Sequence, residues 1–383
     1  MGTADTLIST TTLHFLLLLC ASSLSNSQPL QPVVVKAGYY PSWARNMGPN
    51  EIDTTYYTHI FYAFVVPNNL TFTFDNIGPQ QKASLRNFTS ALRAKNPPVG
   101  PLFSIGGGGA DPTLFSRMGS APSTRKAFID SAISLARDYG FCGMDLDYEF
   151  PRNASDMDNL GLLLREWRKA VERESKRTGK PRLLITAAVY YAADMTLSGA
   201  PRSYPARAIQ ESLDWVNMMD YDYHGSWEPS VTGAHAQLYD PSGRNLSTSY
   251  GVESWMKAGV AARKLVMGLP MYGRTWKLES ANQTGIGAPA VGVGLGDEGT
   301  MTYGQIVNLN ATEVYDSKTV SAYSVSGLNW IGYDNVRAVA VKVNFANKLK
   351  LRGHFFWAVN GDYHWRLSKA VSEAWISRDN IGQ

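Results

Sequence analysis

The sequence predicts an α/β protein: a (β/α)8 TIM barrel with a small α+β insertion domain between the seventh strand and its helix. Three observations predict it. Eight short apolar runs of strand length recur along the chain. Segments with a helical apolar stripe separate them. The runs are continuously hydrophobic rather than alternating, as strands covered on both faces require.

The runs come in this order. "VVVKAGY" (33–39) and "HIFYAFVV" (59–66) open the series, followed by "GPLFSIGG" (100–107) and "FCGMDLDYEF" (141–150). "RLLITAAVYY" (182–191), "LDWVNMMDY" (213–221), "KLVMGLPMY" (264–272) and "RGHFFWAV" (352–359) complete it. Between the third and fourth runs, "STRKAFIDSAISLARDYG" begins at Ser123 and stops at Gly140. After the fourth, Ser155 with Asp158 three residues on reads as a capping box. Leu160, Leu163, Leu164, Trp167, Ala170 and Val171 then share a helical face, and Gly179 ends it. "DNVRAVAVKVNFANKLK" leads into the eighth run. A doubly wound sheet is the rival. It usually has fewer strands and a glycine fingerprint after the first, and none follows "VKAGYY".

One interval breaks the rhythm. Between Trp276 and Tyr333 the chain is rich in Gly, Thr, Ser and Val, and "SKTVSAYSVSGLNWIGYD" carries strand-like β-branched residues. The expected organisation is a signal peptide over 1–27, barrel over 28–276, insertion over 277–333 and barrel again over 334–383.

At 383 residues, 44% apolar and 18% charged, the chain has the composition of a globular protein with a large core. The net charge of +4 is mild, and no basic block suits a phosphate backbone, so nucleic acid is not an expected partner. "LHFLLLL" (13–19), followed by small residues up to Ser27, reads as a cleaved leader, although no Lys or Arg precedes Lys36. No later run is long enough to cross a membrane. The expected location is therefore extracellular or vacuolar. The two cysteines, Cys20 and Cys142, are split by the expected cleavage, so stability rests on the core rather than on a disulfide. Glycosylation sequons begin at Asn69, Asn87, Asn153, Asn245, Asn282 and Asn310, which predicts six surface positions.

The fourth run carries the chemistry. Residues two apart share a strand face, so Asp145, Asp147 and Glu149 point together and Leu146 and Tyr148 point oppositely. In a barrel the acids face the axis, with Glu149 at the C-terminal end where such barrels place their reactions. Crowded carboxylates in a low dielectric cannot all ionise, so at least one holds a proton near neutral pH. A protonated Glu is what a general acid requires. An exposed polar face fits poorly between Phe141 and Phe150, and a calcium cage would favour a turn over a β run.

"GMDLDYEFP" resembles the acidic signature of glycoside hydrolase family 18, Asp-x-x-Asp-x-Asp-x-Glu on the fourth barrel strand. Ser104–Gly108 ("SIGGG") resembles the family's third-strand motif, and "MDYDYHGSWE" from Met219 its sixth-strand Met-x-Tyr-Asp motif. "MYGRTW" from Met271 and Trp357 in "GHFFWAV" are similar to those of its seventh and eighth strands. From about Val33 to Trp375 the chain is most similar to plant class V chitinases.

That resemblance implies a monomeric hydrolase of chitin or chitooligosaccharides that needs no metal or organic cofactor. It implies a retaining mechanism in which the substrate's 2-acetamido oxygen is the nucleophile, an exception to the two-carboxylate scheme. Glu149 would serve as acid and base, Asp147 would orient the acetamido group, and Asp145 would share a proton with Asp147. Tyr221 and Asp222 would hold the reacting sugar over Trp357. Tyr39, Phe64, Met219, Tyr272, Arg274 and Trp227 would line the cleft. Three departures bear on catalysis: Cys142 replaces the first Asp of the signature, Tyr148 replaces a Trp, and Asp220 replaces an Ala and so would bring an extra charge near Asp222. The alternatives are a chitinase-like lectin, a proteinaceous inhibitor on the same barrel, and a hydrolase of lipo-chitooligosaccharides.

Overall fold

The computed structural model describes residues 34–196 and 200–376; the expected leader over 1–27 lies outside them. Every one of the eight apolar runs forms a barrel strand. β1 (Val35–Pro41), β2 (His59–Val65), β3 (Gly100–Gly106), β4 (Gly143–Asp147), β5 (Leu184–Tyr190), β6 (Trp215–Met219) and β7 (Leu265–Pro270) follow one another. A second sheet then intervenes: β8 (Tyr272–Leu278), β9 (Ala290–Val293), β10 (Thr300–Thr302), β11 (Thr312–Asp316), β12 (Ser321–Ser326) and β13 (Asn329–Tyr333). The eighth barrel strand, β14 (Gly353–Trp357), pairs in parallel with both β7 and β1 and closes the barrel.

The principal helices are α1 (Pro79–Arg93), α2 (Pro112–Ser120), α3 (Pro122–Tyr139), α4 (Ala154–Thr178), α5 (Ala206–Ser212), α6 (Thr248–Lys257), α7 (Tyr303–Asn308), α8 (Val336–Lys348) and α9 (Arg366–Ile376). Gly140 at φ +73° ends α3, and Gly179 at φ +68° ends α4; glycine takes this left-handed cap without a Cβ penalty. The start of α4 differs from the capping box expected at Ser155. Asn153 is the cap, its side-chain oxygen accepting from the Asp156 backbone N–H at 2.9 Å. That acceptor satisfies a first-turn donor, so the helix begins immediately and Ser155 lies inside it.

The insertion also starts earlier than the boundary expected at residue 277. β8 already pairs with β13 at Arg274, so Tyr272, Arg274 and Trp276 belong to the second sheet. Apolar character runs unbroken from β7 into β8, which is why the sequence reads there as one strand. The six sequon asparagines, Asn69, Asn87, Asn153, Asn245, Asn282 and Asn310, are all exposed.

The barrel divides its side chains as the period of two demands. Met144, Leu146 and Tyr148 enter the large core between barrel and helices, while the alternating acids turn inward. A smaller inner core of Val35, Phe61, Leu102, Cys142, Leu184, Trp215 and Phe355 fills the barrel's lower half. Above it the register sets Ser104, Asp145 and Thr186 side by side on three strands. The next layer is Gly106, Asp147 and Ala188, so small neighbours leave Asp147 room.

Candidate active site

At the C-terminal ends of the strands the barrel opens into a cavity of about 310 Å³. Phe64, Gly108, Asp147, Glu149, Phe150, Tyr190, Met219, Tyr221, Asp222 and Trp357 line it. Seven of the residues singled out from the sequence therefore meet here: Glu149, Asp147, Tyr221, Asp222, Trp357, Phe64 and Met219. Tyr39, Asp145, Tyr272, Arg274 and Trp227 stand outside that lining.

Asp145 is fully buried beneath the cavity and accepts from four side chains. Thr186 donates at 2.6 Å, Ser104 at 2.7 Å, Tyr39 at 2.8 Å and Asn217 at 3.3 Å. Burial raises its pKa, and the four donors partly offset the rise. Tyr39, expected along the cleft, is instead 1% exposed and part of this support. The reason is its direction: it projects into the barrel between Phe61, 4.5 Å away, and Asp145.

Asp147 and Glu149 form a carboxyl pair on the cavity wall. Asp147 was expected to share a proton with Asp145; here its carboxyl interacts with that of Glu149 as well. Four other donors already satisfy Asp145, so a shared proton is left to the Asp147–Glu149 pair. Burial, then the charges of Glu149 and Asp145, push the Asp147 carboxyl well up. Burial also pushes Glu149 up to about 7; the Asp222 charge adds to this, and the bond from Asp147 opposes it.

Asp222 is held from the insertion side. Arg274 reaches its Oδ1 with Nε and Nη2, both at 2.8 Å, and His235 Nδ1 lies 3.6 Å from the same oxygen. Burial opposes ionisation, but His235 and Arg274 outweigh it and hold the carboxyl well below the usual range. Tyr272 is buried behind this group, with the Arg274 guanidinium 5.5 Å from its ring. Trp227 is 54% exposed and covers the other side of Arg274 at 5.3 Å. Both therefore brace Arg274 rather than line the cavity.

The aromatic floor extends outward. Trp357 stacks on Phe64 at 5.5 Å, and Phe64 stacks on Trp43 at 5.9 Å. Sequence reasoning passed over Trp43, Phe150, Tyr190 and His235. The only signal for Trp43 is its closeness to the first strand's C-terminal end. His235 comes from a loop with no periodic pattern, and only the fold brings it to Asp222.

The three departures are also placed. Cys142 packs in the inner core, and the Tyr148 hydroxyl donates outward to Asp156 at 3.2 Å. Asp220 was expected to disturb Asp222. It is on the strand's outer side, accepting from the Gly268 N–H at 3.3 Å. Lys342 is the cation acting on it, whereas Arg274 and His235 act on Asp222.

The family model for glycosyl hydrolases family 18 matches residues 35–362. The chain belongs to glycoside hydrolase family 18. Among family 18 proteins, a class V chitinase of Medicago truncatula is 46% identical over 87% of this chain and 89% of its own. Nod factor hydrolase protein 1 of the same organism is 47% identical over 87% and 88%. A class V chitinase variant of Nicotiana tobaccum, solved in complex with NAG4, superposes with a TM-score of 0.85 at 43% identity, covering 89% of this chain and 99% of that one. A chitinase-like agglutinin of Robinia pseudoacacia gives 0.82 at 39%, with the same coverage. Such similarity across the barrel supports a glycoside hydrolase of the chitinase type.

Proposed function

We propose that this glycoside hydrolase cleaves β-1,4-linked N-acetylglucosamine oligomers with retention, using the substrate's acetamido group as nucleophile and Glu149 as acid and base. The observation that carries this reading is a Glu149 carboxyl on the cavity wall, raised to about 7 and bonded to Asp147. A bound sugar rests on Trp357. Asp147 turns its carboxyl to the acetamido N–H, and Tyr221 donates to the acetamido oxygen. That oxygen attacks the anomeric carbon as the glycosidic C–O bond breaks, and the Glu149 proton goes to the leaving oxygen. Water then attacks the same carbon, gives its proton to Glu149 and reopens the ring, restoring acid and configuration.

A chitinase relative in complex with NAG4 and the retained acidic pair support this over sugar binding alone. The 47% identity to a Nod factor hydrolase favours a second, narrower reading, in which lipid-modified chitooligosaccharides are the preferred substrates. We also place the protein in the secretory route, on the leader-like run and the six exposed sequons.

Incubation with N-acetylglucosamine hexamer tests the first reading. Wild type releases short β-anomeric products, and Glu149→Gln loses about 10²–10⁴-fold in rate. Tight hexamer binding by both proteins without cleavage supports a lectin instead. A rate preference for acylated over plain oligomers supports the narrower substrate.

A further inference from the structure

We infer that a second binding site, for a carboxylated polysaccharide, lies in the groove between α3 and α4 at the end of the barrel opposite the catalytic cavity. The helices run against the strands. α3 ends at Tyr139, just before β4 begins at Gly143, and α4 ends at Thr178, before β5 begins at Leu184. Their last turns therefore flank the strands' N-terminal ends, whereas the cavity lies at the C-terminal ends. The groove between them measures about 590 Å³, larger than the catalytic cavity.

Its charge is one-sided. Both lining acids are already matched: Asp130 pairs with Lys126, and Glu174 takes Arg137 through two bonds at 3.0 and 2.5 Å. Arg173, Arg177 and Lys180 also line the groove and are exposed. Among the described residues none of these three side chains makes an ion pair or hydrogen bond. Helix C-termini attract cations through the backbone dipole, and Arg177 in the last turn of α4 meets that need. Arg173 lies a turn earlier and Lys180 beyond the Gly179 cap, so the dipole does not explain them.

The shape of the charge selects the occupant. Arg173 and Arg177 are four residues apart, which places their bases about 6 Å apart along one helix face. A guanidinium takes a carboxylate in a two-point fork, and the Arg137–Glu174 pair already does so in this groove. A uronic-acid polymer presents one carboxylate per sugar ring and so offers spaced partners. Duplex nucleic acid, with one charge per ~1.7 Å, carries charge far more densely than the ~6 Å spacing of these arginines. Chitin is uncharged and has nothing to offer these side chains. A chain held here leaves the catalytic cleft open, so the site tethers the enzyme to an acidic matrix.

Affinity electrophoresis of the full chain through polygalacturonate tests this. Wild type is retarded at low salt and released at high salt, because exposed charge contacts are screened. The triple variant Arg173→Gln, Arg177→Gln, Lys180→Gln binds about tenfold more weakly or worse, while its melting temperature and hexamer hydrolysis stay at wild-type levels. Retardation unchanged in the triple variant overturns the proposal. So does binding of anionic vesicles or DNA without binding of polygalacturonate. Hexamer hydrolysis reports on the catalytic reading separately, so failure of one does not imply failure of the other.

Discussion

Glu149 couples reactivity and stability to the same proton. As the proposed general acid it would work only while protonated, so the proposed mechanism predicts that kcat/KM for the hexamer falls as pH rises through about 7. Stability has the same sign. The folded value lies above the ordinary ~4.3 of a free Glu, so the stability tied to this proton is complete below the latter and lost as pH rises through the former. Glu149→Gln should therefore melt above wild type near pH ~8, with the difference shrinking as pH falls and closing by pH ~4. Thermal melts of both proteins across that range check it. Thr186→Val acts differently: it deprives buried Asp145 of its 2.6 Å donor and costs about 1–3 kcal/mol in chemical denaturation. The inward row of acids was legible because strand alternation is a local rule. Their individual partners were not. Tyr39, Ser104, Thr186 and Asn217 approach Asp145 from four strands, and nothing local in the sequence records which hydroxyl meets which oxygen.

Elements differ in how openly they declare themselves. All eight barrel strands were readable, since burial on both faces demands continuous apolar runs. The glycine stops of α3 and α4 were equally plain. The start of α4 was not, because Asn153 and Ser155 are both competent caps and only the path of the chain after Pro151 chooses between them. Asn153 also opens a sequon, so two roles meet in one side chain: its oxygen caps the helix, and its nitrogen would carry a glycan. Substitution separates them. Asn153→Asp keeps the acceptor and removes the glycan, leaving stability near that of the deglycosylated wild type. Asn153→Ala loses both cap and glycan and costs about 1 kcal/mol beyond the loss of the glycan, whereas Ser155→Ala keeps the cap and, by breaking the sequon, removes only the glycan. Urea denaturation of the three variants, with mass spectrometry of the secreted forms, reads out both effects.

On the scale of the whole molecule, the insertion reaches back into the barrel's site. The sequence shows that a strand-rich segment interrupts the barrel, but not that its first strand returns a guanidinium to Asp222. That contact joins residues 52 positions apart across two sheets. It also ties the second sheet to a side chain that lines the cavity. Arg274→Ala removes both 2.8 Å contacts and leaves His235 alone against the burial that disfavours the Asp222 charge. The Asp222 pKa then climbs toward the ordinary carboxylate range, and hexamer kcat/KM falls by about 10², most steeply on the acid side of the profile. Arg274→Lys restores the charge without the fork or the stacking on Trp227, so its activity lies between the two. A pH–rate series on the three proteins decides whether the insertion acts on catalysis through this arginine. Overlapping profiles would reduce the second sheet to a structural neighbour of the site.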